Sequence, residues 1–217
     1  MTLDKRNTFR YIMSEVSFTL GDGEMALNKK EQICNAAIKI IAQEGFHSTT
    51  TDKIAAQAGV AVGTIYNYFQ NKEDILRYIF KVEHEKRASF FHRLQKRDLH
   101  PVEKIRAILE MHFSEVRNNP NIIKIILGER KFSCQEHYAE SRNKGLPLFL
   151  EQIIQDGLAE GRVKKCDPRI VALVLVGAIE AVMASYLQEK HAGKEGDILT
   201  SAVDEITSLI SCGLNIE

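Results

Sequence analysis

The chain has 217 residues, enough for one sizeable core or two small ones, and its 44% hydrophobic and 27% charged residues are those of a soluble globular protein. Lys and Arg (29) balance Asp and Glu (29), which counts against an indiscriminate polyanion binder, because non-specific affinity follows the number of phosphates neutralised. A sequence-selective reader stays open, since it needs positive charge only where it meets the backbone.

Residues 1–24 show no clear period, and Tyr11 to Leu20 is interrupted by Ser14, Glu15 and Ser17, so it lacks the apolar run of a signal peptide. Gly21-Asp22-Gly23 reads as a joint, and residues 1–27 are expected to form a flexible tail. Met25 stands just ahead of the first periodic segment and is a candidate true start, which the intact mass of the native protein tests. From Asn28, a good N-cap, the apolar residues Ile33, Ala36, Ala37, Ile40 and Ile41 follow helical spacing. Gly45 is placed to end that helix and Phe46 to fold back on it. A second helix restarts in the run Ser48 to Thr51, with Thr49 ahead of Asp52 or Thr50 ahead of Lys53 as its cap.

The segment from Thr50 to Phe69 predicts two short helices around Gly59, which suits the left-handed conformation of a tight turn. Ile54, Ala55 and Ala58 form a narrow apolar face, and Val60 fills the space between the helices. On the second helix Val62, Ile65 and Phe69 share one face. Gly63, Thr64, Asn67 and Tyr68 then point outward, with Tyr66 on the flank. This outward set is short and hydrogen-bonding, unlike the Glu/Lys mixture of an idle solvated face. Its hydroxyls suit phosphate oxygens, Asn67 suits an adenine edge, and Gly63 lets backbone approach a phosphate. Lys72 opens the next helix and is expected to add a mobile positive charge beside the DNA backbone. A plain helical hairpin is the alternative that periodicity alone leaves open.

Further helices are predicted over 72–94, 101–117, 120–130, 135–160, 168–190 and 197–212, with breaks at Asp98 to Pro101, Asn119-Pro120, Gly161 and Asp167-Pro168. No useful length alternates with period two, so the fold class is all-α with about nine helices. Ile170 to Leu187 is apolar nearly all round, with Glu180 as its only charge. A central Glu is costly in lipid and another helix follows, so a helix buried on two sides is preferred to a membrane span. Gly177, Ala178, Ala181, Ala184 and Ser185 allow close packing there, and Ile198, Leu199, Ala202, Ile206, Leu209 and Ile210 stripe the last helix. Phe90, Phe91, Phe113, Phe132, Tyr138, Phe149 and Tyr186 are available to line an apolar cavity, although most are expected to be core. Of these Phe90, Phe113, Phe149 and Tyr186, with Arg130 for an anionic headgroup, are the candidate ligand contacts; Arg142 and Lys144 are further basic candidates.

Cys34, Cys134, Cys166 and Cys212 have no CxxC spacing and read as reduced, small apolar core residues of a cytoplasmic protein. The seven histidines form no HExxH, and neither a Gly-x-Ser-x-Gly nor a phosphate-binding glycine loop occurs. Glu83-His84-Glu85 is read as a solvated helix face and not a metal site, since adjacent helical residues diverge. No catalytic residue, metal or cofactor is therefore expected.

Gly45-Phe46, Thr50-Thr51, Ile54-Ala55, Ala58-Gly59-Val60, Gly63-Thr64-Ile65-Tyr66, Tyr68-Phe69 and Lys72-Glu73-Asp74-Ile75-Leu76 together resemble the TetR family of bacterial transcriptional regulators. The likeness covers residues 28–76. Ala61 departs from it, because the family often has a capping Ser there. The resemblance implies a three-helix helix-turn-helix DNA-binding domain over 28–76 and a helical ligand-binding and dimerisation domain over 77–217. It implies that Thr50 or Thr51, Gly63, Thr64, Tyr66, Tyr68 and Lys72 contact double-stranded DNA, and that Asn67 sets operator sequence. It further implies a homodimer built through the last two helices, matched to a palindromic operator. The run Ala58 to Leu76 is also similar to the branch that represses fatty-acid degradation genes and answers to long-chain acyl-CoA. The function so implied is a dimeric repressor released from its operator by a small apolar or acyl ligand. The rivals are a helical small-molecule-binding enzyme and an interaction protein that reads no DNA.

Overall fold

In a computed structural model of the chain, the described residues are 29–128, 145–193 and 196–214. Among them are nine helices and no strand: α1 (Lys29–Glu44), α2 (Thr51–Ala58), α3 (Val62–Tyr66), α4 (Lys72–Gln95), α5 (Pro101–Asn118), α6 (Pro120–Gly128), α7 (Leu146–Ala159), α8 (Pro168–His191) and α9 (Ile198–Leu214). The expected tail, the Met25 start and the Asn28 cap lie outside the described residues, as do Arg130, Phe132, Cys134, Tyr138, Arg142 and Lys144.

Helix boundaries follow local chemistry. Gly45 ends α1 at φ 81°, its N–H donating to the Ile41 carbonyl at 2.9 Å. Thr49 turns out not to cap α2; it is buried, and its hydroxyl donates to the Gly45 carbonyl at 2.8 Å. Thr50 is the cap, its Oγ1 accepting from the Lys53 N–H at 3.3 Å. Pro101 occupies the first turn of α5, where a missing N–H costs nothing, and Glu103 reaches back to the His100 N–H at 3.0 Å. With His100 Nδ1 accepting from Val102, its Nε2 donates to the Arg162 carbonyl at 3.2 Å.

The continuous helix expected over 135–160 is corrected. Its described part begins at Leu146, after Gly145 in a non-helical conformation. Pro147 has no N–H and disfavours helical backbone at the residue before it, so it belongs in a first turn and not in a helix interior.

One apolar core runs from Ile33 on α1 to Leu214 on α9. α2 packs on α1, α3 on α2, and α1 in turn on α4 and α6. In the rest of the chain α7 lies against α8, α5 against α9 and α7, and α8 against α6 and α9. Arg106 to Asp204 (2.7 Å) and Arg117 to Asp197 (2.7 Å) tie α5 to α9.

α8 is long and apolar enough to cross a membrane by length and composition. Its two sides differ. Ala172, Leu175, Ile179, Met183 and Tyr186 are buried in the core, whereas Ile170, Leu173 and Val174 are more than half exposed. The small residues Gly177, Ala181 and Ser185 continue the exposed side.

Candidate functional site

The helix-turn-helix is assembled from short-range bonds. Gly59 takes φ 65°, and the N–H groups of Gly59 and Val60 donate back to the Ala56 and Ala55 carbonyls at 3.2 and 3.0 Å. This pair of bonds closes α2 and turns the chain into α3. Ile54, Ala55, Ala58, Ile65 and Phe69 are buried and Val60 and Val62 pack beside them. α3 begins at Ala61 with no side-chain cap, only the Ala61 carbonyl accepting from Thr64 N–H at 2.9 Å.

Burying Ile65 and Phe69 forces the intervening residues outward. Tyr66 is 55% and Tyr68 41% exposed, Gly63 and Asn67 are exposed, and Thr64 is half-buried. Asn67 keeps helical backbone as the C-terminal cap of α3, which holds its amide on the same outward side as Gly63. Thr50 is exposed on the cap of α2, and Thr51 Oγ1 lies 3.4 Å from the Tyr66 hydroxyl. The two helices therefore present their hydroxyls side by side.

Lys72 behaves differently from the mobile charge expected of it. Its Nζ donates to the carbonyls of Phe46 (3.0 Å), His47 (3.2 Å) and Thr49 (2.9 Å), and stands 4.7 Å from the Phe46 ring centroid. Three protons meet three carbonyls, so the ammonium clamps the α1–α2 connection to the start of α4. Asn71 caps α4 by accepting from Asp74 N–H at 2.8 Å.

A cavity of about 390 Å³ lies in the C-terminal part. α4 contributes His84, Arg87, Ala88, Phe91, His92 and Gln95, which fall on one helix face at spacings of three and four. α5 adds His112, α6 adds Ile123, Ile126 and Leu127, α8 adds Ile179, Glu180 and Met183, and Gly145 with Leu146 and Phe149 of α7 completes the wall. Phe91 stacks on Phe149 with centroids 4.5 Å apart and on His112 at 6.2 Å. Burial, aided by the Arg87 charge, lowers the His112 pKa to about 4. Arg87 pairs with Glu83 at 3.5 Å and Glu115 at 3.2 Å. Burial raises the Glu115 pKa against the opposing pull of Arg87.

Of the candidate ligand contacts, Phe149 is on the cavity wall. Phe90, Phe113 and Tyr186 are buried in the core away from it, and Arg130 is outside the described residues. The α4 face was missed because it mixes three polar residue types with Ala and Phe, so it lacks an apolar stripe; the signal was a run of bulky and polar residues at i, i+3, i+4, i+7, i+8 and i+11. The expected solvated face at Glu83 to Glu85 is corrected in part: His84 lines the cavity and Glu83 is engaged by Arg87, while Glu85 pairs with Lys81. No cluster able to hold a metal occurs among the described residues. Cys34 is buried as expected, its pKa pushed up to about 12 by desolvation, but Cys166 is half-buried and Cys212 exposed.

Residues 33–79 match the family described as bacterial regulatory proteins, tetR family, and residues 98–186 match a tetracyclin repressor-like C-terminal domain. The fatty acid metabolism regulator protein of Bacillus subtilis is 34% identical over 165 residues, which cover 73% of this chain and 84% of that one. The structure is similar to that of the B. subtilis regulator FadR in complex with stearoyl-CoA (TM-score 0.69, 29% identity, 84% of this chain and 98% of that one). It is likewise similar to a fatty acid metabolism regulator of Clostridium perfringens (TM-score 0.70, 26% identity, 86% and 100%). Members of this family bind operator DNA as dimers and answer to small ligands. A shared reader, a shared C-terminal fold and a third of all positions identical over most of both chains make the relationship plain: this protein belongs to the TetR family of bacterial DNA-binding transcriptional regulators.

Proposed function

We propose that the protein is a dimeric, cytoplasmic repressor that leaves a palindromic operator when a long-chain acyl-CoA occupies the cavity. Residues 28–76 are the reader, and residues 77–217 hold the ligand and the partner subunit. Thr50, Thr51, Thr64, Tyr66 and Tyr68 supply hydroxyls to phosphates, Gly63 gives backbone access, and Asn67 reads a base edge. Lys72 serves the same interface by clamping the loop ahead of α2 and by adding charge next to it. The reading assigns no reaction and no cofactor to the chain.

The observation that carries the proposal is the path of α4. One end, at Lys72, grips the reader; the other, from His84 to Gln95, is cavity wall. A second route runs through α6, which lines the cavity and packs on α1. A ligand that favours one packing of α4 and α6 changes the placement of the two readers in the dimer, to the extent of its differential affinity for the two states. The apolar part of the wall suits an acyl chain, and a relative is known with stearoyl-CoA bound.

The test is fluorescence anisotropy of upstream DNA with the dimer, titrated with oleoyl-CoA against CoA alone. The expected result is a loss of DNA affinity of about 5- to 150-fold with oleoyl-CoA, the usual range for coupled sites. Unchanged DNA affinity sinks the acyl reading. Substitution of Tyr68 by Phe should weaken all sequences alike, whereas substitution of Asn67 should alter base preference.

A further inference from the structure

His112 is a buried polar group on the cavity wall whose hydrogen-bonding capacity is half used. It is 6% exposed. Its Nδ1 lies 2.9 Å from the Ile108 carbonyl oxygen, which can only accept, so the proton of the neutral ring sits on Nδ1. Nε2, on the far edge of the ring from the helix backbone, is then a bare acceptor. Among the described residues, the Ile108 carbonyl is the only hydrogen-bond partner of this side chain. The Ile108 hydrogen bond orients the ring, with Phe91 roughly parallel to it at 6.2 Å between centroids and Phe149 stacked on Phe91. Protonation does not consume the lone pair either, since burial holds the pKa near 4.

The charges nearby bear on what can meet that acceptor. Among the described residues, Arg87 is the only Lys or Arg on the wall, and Glu83 and Glu115 already engage it. Glu180 is on the wall as well. The described residues of the wall therefore offer no uncommitted cation for a carboxylate, but they offer a fixed acceptor for a neutral donor. A purely apolar chain filling the cavity would remove water from Nε2 and leave it unsatisfied.

We propose that the effector is an acyl chain bearing a hydroxyl group, which donates to Nε2 of His112, and that His112 is the residue selecting it over the unsubstituted chain. This rests on the acyl reading above and narrows it. A site with a dry acceptor discriminates against a ligand lacking the donor, here by about ten-fold or more.

The experiment is calorimetric titration of the full-length dimer with stearoyl-CoA and with three hydroxystearoyl-CoA isomers, hydroxylated near the thioester, at mid-chain and at the tail. At least one isomer is expected to bind the wild type about ten-fold tighter than stearoyl-CoA. His112→Phe keeps an aromatic ring in the stack, and should bind stearoyl-CoA at least as well while losing the preference. Equal or weaker binding of all three isomers by the wild type overturns the proposal and leaves the acyl reading standing. Binding of none of the four ligands overturns both. A preference that survives in a folded His112→Phe dimer also overturns it. Should that variant not fold, His112→Leu makes the same test, and the wild-type comparison decides by itself against the proposal when no isomer is preferred.

Discussion

Ala61 starts the recognition helix with a methyl group where a hydroxyl could accept a backbone N–H. The neighbouring cap, Thr50, makes that bond, so the two helices of the reader are unequally secured. Substituting Ala61 by Ser is expected to stabilise the fold by about 0.5–2 kcal/mol, read as a rise in thermal midpoint of a few degrees. No change in midpoint would mean that solvent already satisfies those N–H groups as well as Ser does. His112 makes the opposite kind of contribution. Its pKa falls from 6.5 to about 4 on folding, so between those values the unfolded chain holds a proton that the folded one refuses. Stability is therefore lost as pH drops from 6.5 towards 4, by roughly 3 kcal/mol at most, and no further below. Denaturant unfolding of the wild type and His112→Phe across that range checks this: the difference between them should carry the slope, because the half-buried Glu115 and Glu110, whose pKa values are raised, act in both. Lys72 is the residue whose role sequence concealed. Its clamp depends on carbonyls at 46, 47 and 49, more than twenty positions upstream, and backbone carbonyls leave no mark in composition.

At the scale of elements, α7 and α5 meet more closely than their side chains suggest. A Cβ on Gly157 would stand 2.6 Å from Pro101 Cγ and 3.3 Å from Val163 Cγ1. Pro101 is locked into the first turn of α5 and cannot retreat. Gly157→Ala gains about 1 kcal/mol of helix propensity and costs about 1–3 kcal/mol in overpacking, so the clash prevails. Chemical denaturation should find the variant less stable than the wild type; a more stable variant would show that α7 can shift outward freely. The same end of the molecule explains why Glu103 and His100 cap α5 so fully: the helix start is also a packing surface. Boundaries of this kind were legible where a Pro or Gly sat at the junction. They are not legible at Leu146, because Pro147 falls inside the longer helix predicted over 135–160.

At the scale of the whole molecule, the described residues leave apolar side chains of α8 and α9 uncovered. Ile170, Leu173 and Val174 on α8 and Leu209 on α9 are 51–72% exposed. Exposed apolar side chains grouped on two helices that pack together mark an interface, and a twofold pair of α8–α9 faces would cover them in the dimer. Leu173→Glu should give a monomer in sedimentation with unchanged far-UV circular dichroism, and should lose operator affinity because each half-site is then bound alone. A dimer that persists in this variant would put the interface elsewhere. The two other long-range features, the α4 path from reader to cavity and the contact of α6 with α1, have the same character: they join parts remote in sequence.

The reader was determined by sequence alone because its geometry is local. Capping, the Gly59 turn and the outward direction of Gly63, Asn67 and Tyr68 rest on bonds and spacings of three to five residues, and those are written directly in residue order. The all-α class followed for the same reason. The cavity was decided by tertiary structure. Its wall draws on α4, α5, α6, α7 and α8, and whether Phe91 or Phe90 faces it depends on how α4 is rotated against four other helices. That rotation is set by packing of the whole core, in which a polar stripe such as His84, Arg87, His92 and Gln95 can face inward once a space is enclosed for it.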